Sequence, residues 1–80
     1  MTEPEILSQL NEVFRDVLEN EGIQINMNTQ ANDIEEWDSL SHIVLVVSIE
    51  KRFKIRFKSK EILSWKNIGE MANTIFKKIN

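Results

Sequence analysis

Residues 39–53 read SLSHIVLVVSIEKRF, and the fold turns on whether this run is a strand or a helix. Ile43-Val44-Leu45-Val46-Val47 is rich in β-branched side chains, and Phe53-Ile55-Phe57 alternates with Lys54 and Arg56 as a strand would. Against a strand, no turn residue interrupts Leu40 to Phe53, and Asp38 stands where a helix needs its N-cap. On a helical wheel started at Ser39, Ile43, Val47, Leu40 and Val44 fall in an arc of roughly 40° to 140°. Leu45, Ile49, Phe53 and Val46 fall in a second arc of roughly 240° to 340°. Ser39 and Glu50 lie on one border, and Ser41, Ser48 and Arg52 on the other. A small bundle can bury one apolar face; the other needs a partner, a cargo or a neighbouring loop, unless the helix is buried all round.

The flanking sequence favours the helix. Thr2-Glu3-Pro4-Glu5 has the spacing of a capping box, with proline in the first turn. Ile6, Leu7, Leu10, Val13, Phe14, Val17 and Leu18 then follow helical spacing, and Gly22 is the expected stop. Residues 23–37 are polar, with Ile23, Ile25, Met27, Ile34 and Trp37 as scattered apolar anchors of a long loop. Ser59 is the expected cap of a short helix over residues 60–64. Asn67 and Glu70 have capping-box spacing before a last helix with Ile68, Met71, Ala72, Ile75 and Ile79 on one face. The expectation is an all-α fold: a small four-helix bundle of three principal helices and one short one, with a long loop between helices 1 and 2.

Eighty residues fit one domain, taken as residues 1–80. The absence of cysteine excludes disulfides and thiolate metal sites. MTEPEIL lacks the layout of a signal peptide, and no apolar stretch nears the ~20 residues that span a bilayer, so a cytoplasmic protein without membrane insertion is expected. The net charge of −3 conceals a polarity: residues 1–38 carry a net −9 and residues 39–80 a net +6. An acidic domain is a poor general binder of nucleic acid, and no nucleic-acid partner is expected; a monomer is.

Ser39 carries the functional question. Asp38, Ser39 and His42 suggest a hydrolase, but Asp38 directly precedes the serine and is poorly placed to orient the far side of the imidazole. No glycine-built oxyanion site surrounds it either. No catalytic residue is therefore assigned, and His42 reads as a packed or capping histidine. Glu35, Glu36, Asp38 and His42 could be imagined round a metal, yet acids before a helix are favoured by its dipole alone, and no metal site is assigned. Covalent attachment remains: a phosphate ester on Ser39 would lie near free backbone N–H groups and the positive end of the dipole. Leu40, Ile43 and Val47 would offer apolar contact beside it.

Asp38-Ser39-Leu40, the apolar helix after it and the E-x-x-F ending Glu50-Lys51-Arg52-Phe53 resemble the acyl carrier protein family, and the helix order is similar over nearly the whole chain. The resemblance implies that Ser39 carries a 4′-phosphopantetheine, donated by coenzyme A through a magnesium-dependent phosphopantetheinyl transferase. It implies a freestanding carrier, not an enzyme, whose arm holds acyl or aminoacyl groups as thioesters for loading and transferring enzymes. By the same resemblance, Asp38 and Leu40 serve recognition by the transferase, and Ile43, Val44, Val47 and Lys51 serve other partners. Leu45, Val46, Ile49 and Phe53 match the core side, and Phe57, Ile62, Ile68 and Met71 match a possible lining for an acyl chain, though core packing accounts for them equally well.

The sequence departs from fatty-acid carriers where those tend to be acidic: Ser41, Val44 and Lys51-Arg52 replace acids, and Lys54-Ile55-Arg56-Phe57-Lys58 is basic. The Trp37-Asp38-Ser39-Leu40 form is similar to discrete carriers of polyketide, aminoacyl or surface-polysaccharide acylation systems. The alternative is a small helical interaction module with no prosthetic group.

Overall fold

Residues 39–53 are helical. The computed structural model describes residues 1–79, which form α1 (Glu3–Val17), a 3₁₀ turn (Ala31–Asp33), α2 (Ser39–Phe53), α3 (Ser59–Ser64) and α4 (Ile68–Ile79). No strand occurs among the described residues, and none of their helices is long and apolar enough to cross a membrane. The expected all-α bundle is therefore the observed architecture, with α1 lying against both α2 and α4.

The two arcs of α2 have opposite fates. Leu45, Val46, Ile49 and Phe53 are buried, and all but Val46 belong to one core cluster with Ile6, Leu10, Val13 and Phe14 of α1 and Ile68, Met71, Ala72 and Ile75 of α4. Helical geometry wins over β-propensity because it sorts the apolar residues into one stripe that the other helices can cover.

Helix starts follow the sequence closely, with one exception. Thr2 N–H donates to Glu5 Oε1 at 2.8 Å while Glu5 N–H donates to Thr2 Oγ1 at 3.3 Å, completing the capping box. Asn67 Oδ1 accepts from Glu70 N–H at 2.9 Å, but the Glu70 carboxylate answers Lys66 N–H instead of the Asn67 backbone. The exception is Ser59, which is the first residue of α3 and not its cap. Lys58 holds the cap position, its backbone N–H bound by Glu61 Oε1 at 2.7 Å.

The first helix stops earlier than expected, whereas the second stops at Phe53 as expected. α1 ends at Val17, well before Gly22, because Glu19 adopts a left-handed backbone (φ 52°) and Asn20 N–H returns to Arg15 O at 3.1 Å. α2 ends the same way: Lys54 has φ 57° and Ile55 N–H bonds Glu50 O at 3.1 Å.

The long loop is anchored by its apolar residues and also by polar side chains of α1. Ile23 and Ile25 are buried, and Met27, Ile34 and Trp37 pack on the core. Asn11 grips Ile25 as a strand neighbour would: its Oδ1 accepts from Ile25 N–H at 2.8 Å and its Nδ2 donates to Ile25 O at 3.2 Å. Arg15 Nε donates to Ile23 O at 2.6 Å. The loop then runs over the start of α4, where Thr29 O and Met27 O accept from Ile68 and Gly69 N–H at 2.9 and 2.7 Å.

Candidate functional site

Ser39 is the first residue of α2, and its place depends on the residues either side. Asp38 is the N-cap, its Oδ1 accepting from Leu40 N–H at 3.0 Å and Ser41 N–H at 2.9 Å. Ser41 reciprocates, with Oγ accepting from Asp38 N–H at 2.8 Å and donating to Glu36 O at 2.9 Å. These contacts, the Ser41 backbone N–H foremost, hold the Asp38 carboxyl below the ordinary carboxylate value, against a weaker opposing effect of desolvation. Asp38 and Ser41 thus do the capping, and Ser39 is exposed with its hydroxyl in no hydrogen bond among the described residues.

His42 lies one turn further along. Its Nδ1 accepts from the Trp37 indole Nε1–H at 3.0 Å, and the two rings stack with centroids 6.0 Å apart. Burial lowers the His42 pKa, favouring the neutral ring, and the bond to Nδ1 places the remaining proton on Nε2. Neither the Asp38 carboxylate nor the Ser39 hydroxyl bonds to the His42 imidazole, so the three residues are not arranged as a nucleophile, base and orienting acid. Among the described residues no three or more His, Cys, Asp or Glu side chains cluster as metal ligands; Glu36 instead accepts from Asn20 Nδ2 at 2.6 Å.

A chain of aromatic contacts extends from this pair. Trp37 meets Phe14 edge-on at 5.0 Å, His42 meets Trp65 edge-on at 6.3 Å, and Trp65 meets Phe57 edge-on at 4.8 Å. Trp65 is fixed by its indole N–H, which donates to Thr74 Oγ1 at 3.0 Å. Between α2 and the α3–α4 segment lies a cleft of about 350 Å³, lined by Trp37, Asp38, Ser39, His42, Ile62 and Trp65, with Lys66 at its edge. Trp65 was not singled out by the sequence reading. The available signal was that both tryptophans of the chain stand just before a helix cap, Trp37 before Asp38 and Trp65 before Asn67.

The residues assigned to partners all lie outside the core. Leu40, Ile43, Val44 and Val47 are 77%, 62%, 51% and 44% exposed, so the outer arc of α2 has no cover within the described residues. Lys51, Lys54 and Arg56 lie round a groove at its far end with Val47, Glu50 and Ile55. Arg52 faces α1, bonding Gln9 and Glu12. Of the four residues considered for acyl-chain lining, only Ile62 borders the cleft beside Ser39. Ile68 and Met71 are fully buried core, and Phe57 packs on Trp65.

Residues 8–75 match the family model described as phosphopantetheine attachment site. No curated protein matches the chain. Among solved structures, it is similar to the solution NMR structure of holo acyl carrier protein from Geobacter metallireducens, at 42% identity and a TM-score of 0.86, with 91% of this chain and 84% of that chain covered. A helical bundle with an exposed serine heading its second helix, joined to this match, defines a phosphopantetheine-bearing carrier domain. The chain belongs to the acyl carrier protein family. Its prosthetic group is a covalently attached 4′-phosphopantetheine, whose thiol supplies the thioester chemistry. The site suits that group: a solvent-facing hydroxyl opens beside a cleft with apolar walls and one nearby ammonium.

Proposed function

We propose that Ser39 is the attachment residue, and that residues 1–80 form one carrier domain for acyl or aminoacyl thioesters. The observation that carries the assignment is the division of labour at the start of α2: Asp38 and Ser41 satisfy the helix end, leaving the exposed Ser39 hydroxyl with no structural task. In loading, Ser39 Oγ forms a P–O bond to the pantetheine-bearing phosphorus of coenzyme A. The pyrophosphate bond of coenzyme A breaks, adenosine 3′,5′-bisphosphate leaves, and the serine proton passes to a base of the transferase. Asp38 and Leu40 are the transferase's contacts: one Asp38 oxygen is committed to the cap, and the apolar Leu40 side chain stands exposed beside the serine. Dependence on coenzyme A places the protein's work in the cytoplasm.

Intact mass after incubation with coenzyme A and a broad-specificity phosphopantetheinyl transferase tests the assignment. The addition of one phosphopantetheine, abolished in Ser39→Ala, is the expected result. No addition to the folded protein would favour the interaction module.

Its partners present an apolar surface with acidic groups at one end. Ile43, Val44 and Val47 supply the apolar strip and Lys51 the adjoining charge, which Lys54 and Arg56 reinforce. Such a face suits a specialised acylation pathway better than enzymes that grip an acidic helix. Introducing Val44→Glu and Lys51→Glu together should improve acyl loading by fatty-acid enzymes, measured as acylated holo-protein by mass. Unchanged loading would locate specificity elsewhere.

A further inference from the structure

At the end of α2 away from Ser39, the way the helix stops gathers three cations. Lys54 takes the left-handed cap, and the chain turns there, so that Lys54 and Arg56 share one open groove with Lys51. Val47 and Ile55 supply the apolar part of its lining. Glu50 is the one carboxylate in that lining among the described residues, and its Oε2 accepts from Phe57 N–H at 2.8 Å. The ion pairs among the described residues, Arg52–Glu12 and Lys78–Glu61, use none of the three cations, all of which are exposed. Three cations against one carboxylate leave the groove an excess of two positive charges, next to the exposed aliphatic side chains of Val44 and Val47.

We propose that this basic end of α2 docks on an anionic phospholipid surface. The proposal rests on the reading above that this end meets acidic groups, and it is independent of the assignment of Ser39. Composition favours lipid over an acidic protein: protein interfaces are enriched in aromatic residues and depleted in lysine. This groove has two lysines, one arginine and only aliphatic apolar side chains. Long cationic stems beside an aliphatic strip suit the headgroup boundary, where the stems lie against apolar surface and the charged heads reach phosphates. The other end of α2 is unsuited to such a surface, because Glu35, Glu36 and Asp38 are exposed around its start. Along the helix axis Ser39 lies about 18 Å from Lys51, roughly twice the screening length at physiological salt. Those acids therefore leave the attraction at the basic end intact while keeping the Ser39 end off the surface. The chain rests tilted on the bilayer without crossing it, and Ser39, Leu40 and Ile43 stay open to an enzyme working at the same surface.

Vesicle flotation of the full chain, holo and apo, tests the proposal with vesicles of phosphatidylcholine alone or of equal parts phosphatidylcholine and phosphatidylglycerol. Both forms should float with the anionic vesicles only, and about 0.5 M salt should release them. Replacing Lys54→Gln and Arg56→Gln together should weaken binding about thirtyfold, at about 1 kcal/mol for each charge. Lys60→Gln with Lys66→Gln removes the same charge from exposed positions outside the groove and should change binding less than about twofold. Equal losses in the two double variants would overturn the docking site, since net charge alone would then explain the binding. Flotation with both vesicle types alike, or by the holo form alone, would also overturn it, assigning the contact to apolar surface or to the prosthetic arm. Polyglutamate immobilised on a resin separates the remaining outcomes. Retention on it without flotation would put an acidic protein at this end in place of lipid, and failure of both would overturn the acidic-partner reading as well.

Discussion

At the scale of single residues, the start of α2 assigns three neighbouring polar side chains to two different jobs. Asp38 and Ser41 close the helix end, while Ser39 takes no part in it. Ser39→Ala should leave unfolding stability within about 0.5 kcal/mol of the parent, as expected for a surface substitution without structural partners. Asp38→Ala should lower the denaturation midpoint, since Leu40 and Ser41 N–H lose their acceptor. Equal losses in the two variants would mean that Ser39 also supports the fold. His42 adds a pH dependence. Burial depresses its pKa below the ordinary 6.5, so as pH falls the unfolded chain binds the proton first. Its contribution is complete above that value and is lost as pH falls through 6.5 and then through the lower folded value. Protonation at Nδ1 also opposes the Trp37 bond. Urea midpoints across about pH 5 to 7 should therefore decline towards acid, and the decline over this range should be shallower in His42→Phe.

At the scale of elements, what the sequence conveyed depended on whether the physical signal was local and chemical or geometric. The starts of α1, α2 and α4 were legible because capping acts through identifiable side chains: Thr2, Asp38 and Asn67. The stop of α1 was not, because it uses a left-handed residue that is not glycine, Glu19; α2 also stops on one, Lys54, but at the Phe53 bound that its apolar run marked. The outer arc of α2 could be read from spacing alone, while Ser39 as the proposed attachment residue came within reach only through the family resemblance carried by Asp38-Ser39-Leu40. The aromatic cleft was not, since Trp65 meets His42 only after α3 and its flanking turns bring the chain back. The left-handed stop yields its own prediction. Glu19 is exposed, and relieving its Cβ clash with Glu19→Gly should stabilise the protein by about 1 kcal/mol, seen as a higher urea midpoint with an unchanged slope. A loss would show that the freedom glycine gains in the unfolded chain outweighs the relief.

At the scale of the whole molecule, the long loop is a structural member joining α1 to α4. Asn11 and Arg15 of α1 hold its backbone at Ile25 and Ile23, and its Met27 and Thr29 carbonyls then satisfy N–H groups at the start of α4. The loop continues through Trp37 into Asp38, so the position of Ser39 depends on this crossing as well as on α2 itself. Gly69 is the narrow point. A Cβ there would stand 2.8 Å from Met27 O and 3.2 Å from the Asn67 Oδ1 that caps α4. The nearer atom is backbone, whose own bond to Gly69 N–H at 2.7 Å resists retreat. Gly69→Ala should therefore cost about 1–3 kcal/mol of stability despite alanine's better helix propensity. The gain from alanine inside a helix is at most about 1 kcal/mol, too small to offset loss of the loop contact. Urea unfolding gives the net cost, and amide hydrogen exchange should show faster exchange at Ile68 and Gly69 of the parent position than elsewhere in α4, because those N–H groups lose their loop acceptors. A variant as stable as the parent, with those amides equally protected, would mean that the loop can shift without cost and that α2 alone positions the serine.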